Sequence, residues 1–202
     1  MSFDLDRLCS FCDTEIRLFA AEHPDEAFYA FAFEGSWLSL NSEQEFAKTL
    51  AKFQEESDRR NRPIERWEDL TEDDLWWEES LLDTHATCKG LDRSNRLACL
   101  AIINESRACR RERLPYRNPE DVRGLRENPG DWAYQGFADM VESGGFDEAA
   151  YDEHWYMSDE KQKVSEYGRA TDALLERLRK SGVFACLKTA PEFYAKRVEH
   201  NY

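Results

Sequence analysis

Glycine, proline and histidine are scarce in this sequence, with 9, 6 and 4 residues among 202. Nine glycines leave little material for phosphate-cradling loops, and no GxGxxG, Walker-type, GxSxG or HExxH spacing occurs. His23, His85, His154 and His200 stand too far apart for a sequence-local metal or base pair. No 18 apolar residues run together, so no membrane-spanning helix is expected. The start, Met1-Ser2-Phe3-Asp4-Leu5-Asp6, is acidic where a secretory signal needs basic residues before an apolar stretch, so the expected compartment is the cytoplasm. Base is scarce against acid, 27 Lys+Arg to 42 Asp+Glu, a formal charge of −15. That balance argues against nucleic acid and anionic membranes as partners and favours a basic one.

Apolar and aromatic residues are plentiful: the hydrophobic fraction is 41%, with 12 Phe, 8 Tyr and 6 Trp. This composition excludes a disordered acidic tail, and a chain of this length can bury about 70% of its unfolded surface. The six cysteines fit reduced thiols in the cytoplasm. Cys9 and Cys12 have the CxxC spacing of zinc and dithiol sites, but no second pair is close. Both also fall on the apolar stripe of a predicted helix, where a thiol packs as a small hydrophobe.

Periodicity predicts a first helix from Ser2, with Leu5, Leu8, Cys12, Ile16 and Phe19 on one face, broken at Pro24. Residues 28–33 and 36–40 read as a buried hairpin, and Ser42 with Glu45 as a capping box opening a helix to about Ser57. Further helices are expected over Thr71 to Leu82, from Asp92 or Ser94 to before Pro115, from Asn118-Pro119 to Asn128, and from Asp147 to Met157. A long helix should start at Ser158 and close at Gly182. Asp131 to Tyr134 and Val183 to Leu187 are read as strands, and Thr189 to Glu192 as the capping box of a last helix. With no repeat, low-complexity segment or linker, the expectation is one α+β domain over 1–202: a small, mainly antiparallel sheet including the 28–33/36–40 hairpin, packed by several amphipathic helices.

The charge is local. Residues 1–85 hold 22 acids and 8 bases; residues 86–127 hold 6 and 10. The densest acidic stretch, Glu65 to Asp83, carries nine acids, one base and three tryptophans. Indoles concentrate at the energetic centres of interfaces and carboxylates steer a basic partner, so Trp67, Glu68, Asp69, Asp73, Asp74, Trp76, Trp77, Glu78 and Glu79 are the candidate partner-binding residues. Two plainer readings compete: the indoles could plug into the core, and the basic run Arg107 to Arg117 could neutralise the acids within the fold. The second would remove most of the support for a partner. No catalytic residue, cofactor or metal is expected.

The stretches Ala27 to Leu40 (AFYAFAFEGSWLSL) with Asn41 to Phe46, Asn128 to Phe137 (NPGDWAYQGF), and the final long helix leaving through Phe184 to Leu187 resemble the bacterial family called domain of unknown function 4303. The resemblance implies one α+β domain and brings no catalytic residues. Small acidic members of such families look like immunity proteins encoded beside secreted toxins. The expectation is therefore a cytoplasmic toxin inhibitor that binds a basic toxin domain, such as a nuclease, without turnover. The alternatives are a hydrolase-type enzyme using a spatial cluster such as His154 with Asp152 or Glu153, and a self-associating scaffold with the Trp segment as homodimer face.

Overall fold

The computed structural model describes residues 3–198. Its elements in chain order are α1 (Leu5–Glu22), β1 (Phe28–Glu34), β2 (Trp37–Ser42), α2 (Glu43–Asn61), α3 (Glu72–Lys89), α4 (Arg96–Glu112), α5 (Pro119–Glu127), β3 (Tyr134–Asp139), α6 (Glu148–Trp155), α7 (Asp159–Val164), α8 (Glu166–Ser181) and β4 (Thr189–Val198). The fold class is α+β. The residues group into two compact units, one from the chain up to Thr49 with the chain from Arg126 onward, the other Leu50–Leu125. Both boundaries fall inside helices, α2 and α5, so no Pro- or Gly-rich linker marks them in the sequence.

In the first unit the sheet order is β3-β2-β1-β4. β1 pairs antiparallel with β2, β2 antiparallel with β3, and β1 parallel with β4. The hairpin forms where the sequence predicts it, Glu34 pairing with Trp37 across a two-residue turn. Gly35 takes φ +60° there, and a β-carbon on it would press on the Tyr151 hydroxyl, so the position suits glycine on both counts. Every residue of β1 is buried, as an apolar run with no polar alternation requires. Phe31, Phe33, Leu38 and Leu40 join one core with Leu8, Cys12 and Ile16 of α1 and Leu174, Leu175 and Leu178 of α8. Each such side chain contributes about 1.5–3 kcal/mol by leaving water.

Ser2, the predicted start of α1, lies outside the described residues; Asp4 caps the helix, accepting from the Arg7 amide at 3.1 Å. Ser42 does cap α2, accepting from the Glu45 amide at 3.2 Å, but Glu45 turns to Lys48 instead of reaching back, so only half of the predicted capping box forms. The single helix expected from Ser158 is two, because Ser165 leaves the helical conformation at ψ 164° and its hydroxyl caps α8 at the Gly168 amide, 2.9 Å away. Val183–Cys186 is a turn of 3-10 helix, not a strand. The strand placed at 131–134 begins instead at Tyr134, after a 3-10 turn over Pro129–Asp131.

The largest departure is the tail. Thr189 onward is not a helix but β4, ten residues in parallel register with β1 from Ala30↔Tyr194 to Glu34↔Val198. Between the Phe28↔Thr189 and Ala30↔Tyr194 pairs the register shifts, and Pro191, which has no amide hydrogen, sits in this irregular stretch of an edge strand. Long-range pairing of Phe193, Tyr194 and Val198 outweighs a local capping pattern there.

In the second unit α3 and α4 close on a small core of Leu82, Cys99 and Ile103, with Trp67, Leu70, Leu91 and Ile102 packed against it. Thr71 and Asp74 form a reciprocal capping box at the start of α3, and Gly90 ends that helix at φ +68°.

Candidate functional site

The second unit carries the candidate partner-binding residues, and α3 presents them in two directions. Asp74 and Glu78, one turn apart, point into the unit; Trp76, Trp77, Glu72, Asp73, Glu79 and Asp83 face solvent. The reason for the first group lies on α4. Arg107 is 1% exposed and donates from Nη2 to Asp74 Oδ1 at 2.7 Å and from Nε to Glu78 Oε1 at 3.0 Å. Its Nη1 donates to the Arg62 carbonyl at 3.2 Å, completing the fork. Arg110, one turn further along α4, donates to the same Glu78 oxygen at 2.5 Å and to Asn61 Oδ1 at 2.7 Å. Burial alone would raise the Asp74 carboxyl, but hydrogen bonds from the Thr71 hydroxyl and amide and from Arg107 outweigh it and hold the pKa at about 2.

The basic run therefore neutralises part of the acidic stretch. Arg107 and Arg110 take up Asp74 and Glu78, whereas Arg117 pairs with Asp58 of α2. Asp69, Asp83 and Glu68 pair with Arg66, Arg93 and Arg96 on the surface, and Asp73 stands 3.9 Å from Arg59. Glu72 and Glu79 have no ion-pair partner among the described residues. Counted by unit, 17 acids meet 14 bases in Leu50–Leu125, and the remaining 25 acids meet 13 bases in the other unit. Most of the excess negative charge thus belongs to the first unit, a division that the count over residues 1–85 does not follow.

The three tryptophans separate. Trp67, on a 3-10 turn before α3, is partly buried against the Leu82–Cys99–Ile103 core. Trp76 and Trp77 are 66% and 50% exposed, and their rings meet edge to face with centroids 5.0 Å apart. The core-plug reading holds for one indole and not for the other two.

Beneath Trp77 a cavity of about 430 Å³ opens between the C-terminal half of α2, α3, α4 and the segment before α5. Phe53, Trp77, Pro115 and Tyr116 give it apolar walls; its charged lining is the acids Glu56, Asp73, Asp74 and Glu78 and the bases Arg60, Arg107 and Arg110. The Arg60 guanidinium lies 4.2 Å over the Trp77 ring and pairs with Glu56. Leu114 and Tyr116 hold φ of 51° and 57°, a left-handed backbone that costs such residues energy, on either side of Pro115. Gln54 donates to the Tyr116 carbonyl at 2.8 Å, and the Tyr116 amide donates to Asp121 at 2.9 Å, fixing this wall. No local sequence pattern points to this cavity: Phe53 and Arg60 of α2 are distant along the chain from Tyr116, and no spacing links them to α3.

The other clusters of chemical side chains lie in the first unit. His154 is fully buried, its Nδ1 2.7 Å from the Ser165 hydroxyl and its ring against Tyr167, while Asp152 and Glu153 are exposed. The proposed His154–carboxylate neighbours are thus on opposite sides of α6. His23, stacked on Phe19, meets Glu26 at 3.0 Å; Glu26 also accepts from Tyr134 and Ser42, both at 2.5 Å. Burial alone would raise Glu26; these hydrogen bonds lower it below the ordinary carboxylate value. Near His85, Cys88 is exposed and Asp83 pairs with Arg93; His200 lies outside the described residues. Cys12 is buried and its thiol is pushed well up by desolvation, which favours the neutral packing form over a thiolate. No helix among the described residues is long and apolar enough to cross a membrane.

Compared with family models, curated proteins and solved structures, the chain matches none.

Proposed function

We propose that this chain is a non-catalytic binding protein whose outer α3 face takes a basic protein partner, and that it acts in the bacterial cytoplasm as an immunity protein neutralising a toxin domain. The observation that carries the reading is the exposed Trp76–Trp77 pair set among Glu72, Asp73, Glu79 and Asp83. Two adjacent indoles left in water gain more from burial against a partner than any other exposed pair on this helix, and the carboxylates around them suit basic residues at the rim. The wider charge supports the same choice of partner, since the first unit holds most of the −15 and slows the approach of anions. The resemblance of the 27–46 and 128–137 stretches to domain of unknown function 4303 adds the toxin context. Asp74 and Glu78 serve this reading indirectly, by holding α3 to α4 through Arg107.

The test pairs this protein with the product of the adjacent gene. Titration calorimetry should give one-to-one binding that weakens with salt, and protection of cells should require at least equimolar protein. Trp76→Ala with Trp77→Ala should weaken binding by about 30-fold or more. Protection at substoichiometric protein would indicate an enzyme, and light scattering that shows a dimer dissociating on Trp76→Ala would assign the face to self-association; either result overturns the proposal.

A further inference from the structure

The cavity below Trp77 holds features that a protein–protein face does not need. Among the described residues, three buried side-chain polar atoms lack a hydrogen-bond partner: Glu78 Oε2, Arg60 Nε and Tyr194 Oη. The first two belong to residues lining this one cavity. Glu78 is 2% exposed, and both of its arginine partners donate to Oε1, leaving Oε2 an acceptor without a donor. Arg60 donates from Nη2 to Glu56 while its Nε–H has no acceptor. Each unmet buried group costs about 1–3 kcal/mol, a cost that persists in a fold when something else completes the bond.

The rest of the cavity narrows what that is. Arg107 and Arg110 offset Asp74 and Glu78, and Arg60 offsets Glu56, which leaves Asp73, 3.9 Å from Arg59 outside the cavity, as the one lining acid in excess, so the lining disfavours an anion. The apolar walls are flat rings: Trp77, with Arg60 over it, and Phe53 against Tyr116 at a centroid distance of 5.0 Å. The wall carrying Tyr116 is kept in a left-handed backbone between two hydrogen bonds, strain of the kind that concentrates where a site must be held open.

We infer that this cavity binds an uncharged planar nitrogen heterocycle carrying a donor beside an acceptor on one edge, the pattern of purine and pyrimidine bases, with its N–H on Glu78 Oε2, its acceptor on Arg60 Nε and its ring among Trp77, Phe53 and Tyr116. The site shares Trp77 and Asp73 with the proposed partner face but rests on other observations, and Arg60→Met separates the two. A free nucleoside fits better than its phosphate, because Asp73, the lining acid in excess, repels added negative charge.

The probes are guanosine, adenosine and their 5′-monophosphates, titrated into the full chain and followed by the indole N–H resonances in two-dimensional NMR. A nucleoside should shift the Trp77 resonance saturably at up to about 1 mM, and its monophosphate should bind more weakly. Trp77→Ala, at a half-exposed position that the fold tolerates, should weaken binding by about tenfold or more. Glu78→Gln should do the same if it folds, and Arg60→Met tests the same edge without disturbing Arg107. Leu97→Ser, exposed and away from the cavity, should change nothing. The inference is overturned by no saturable shift with either nucleoside, by equal binding in Trp77→Ala and Arg60→Met, or by agmatine binding more tightly than both nucleosides.

Discussion

Arg107 and Glu78, 29 residues apart in sequence, meet at 3.0 Å with side chains 1% and 3% exposed, an ion pair that joins α4 to α3 out of reach of water. Asp74 takes the other end of the same guanidinium. A buried pair of this kind adds little net stability over an apolar replacement, but removal of one partner strands a charge.

Arg107→Met should therefore destabilise the second unit by about 3–5 kcal/mol, read as a lower midpoint in urea unfolding. Arg107→Lys should recover only part of this, since an ammonium cannot span Asp74, Glu78 and the Arg62 carbonyl as the planar fork does. An unchanged midpoint in Arg107→Met would show that the pair is not buried as described.

Acid should weaken the fold through Asp74. Its folded pKa of about 2 lies below the ordinary 3.8, so the stability it adds is fully present above pH 3.8 and is lost as the pH falls toward 2. The shift corresponds to about 2 kcal/mol, and Asp74→Asn should remove that part of the acid dependence. Glu26, also lowered, acts in the same direction. Urea midpoints at pH 6, 4 and 3 for both proteins decide it; parallel curves would refute the assignment.

Gly168→Ala should cost about 1–3 kcal/mol, because a β-carbon there overlaps the Gln162 carbonyl oxygen and lies 3.1 Å from the Ser165 hydroxyl that caps α8. Thermal unfolding measures it. Gly124→Ala, with open space around the new carbon, should be neutral or slightly stabilising, since its site lies inside α5.

Thiol labelling in the native state should be rapid at Cys88 and Cys109, which are exposed, and slow at Cys12 and Cys99, which are buried. Cys9 and Cys186 should lag Cys88 and Cys109, as burial raises both of their thiols. Quantitative labelling of Cys12 without unfolding would remove it from the core.

Much of the local structure was legible because its cause is local. The α1 stripe, the Gly35 hairpin, the Asn118-Pro119 start of α5 and the Gly182 stop of α8 each rest on neighbours a few residues apart. Where local and distant interactions disagree, the distant one prevailed: Thr189 to Glu192 has a helix-start pattern, yet the segment pairs with β1, and Ser165 breaks one predicted helix into two to cap the second.

From the sequence by itself came the α+β class, the buried hairpin, the net acidity and the Trp-bearing acidic segment that became α3. Which of those acids face water was decided only in three dimensions, because helical spacing places Asp74 and Glu78 on one side and only the approach of Arg107 and Arg110 shows that this side is the interior. The exposure of Trp76 and Trp77, the burial of Trp67 and the cavity between Phe53, Trp77 and Tyr116 follow from the same approach of α2, α3 and α4. Such contacts depend on loop closure over tens of residues, and no property of the residues taken in order encodes them.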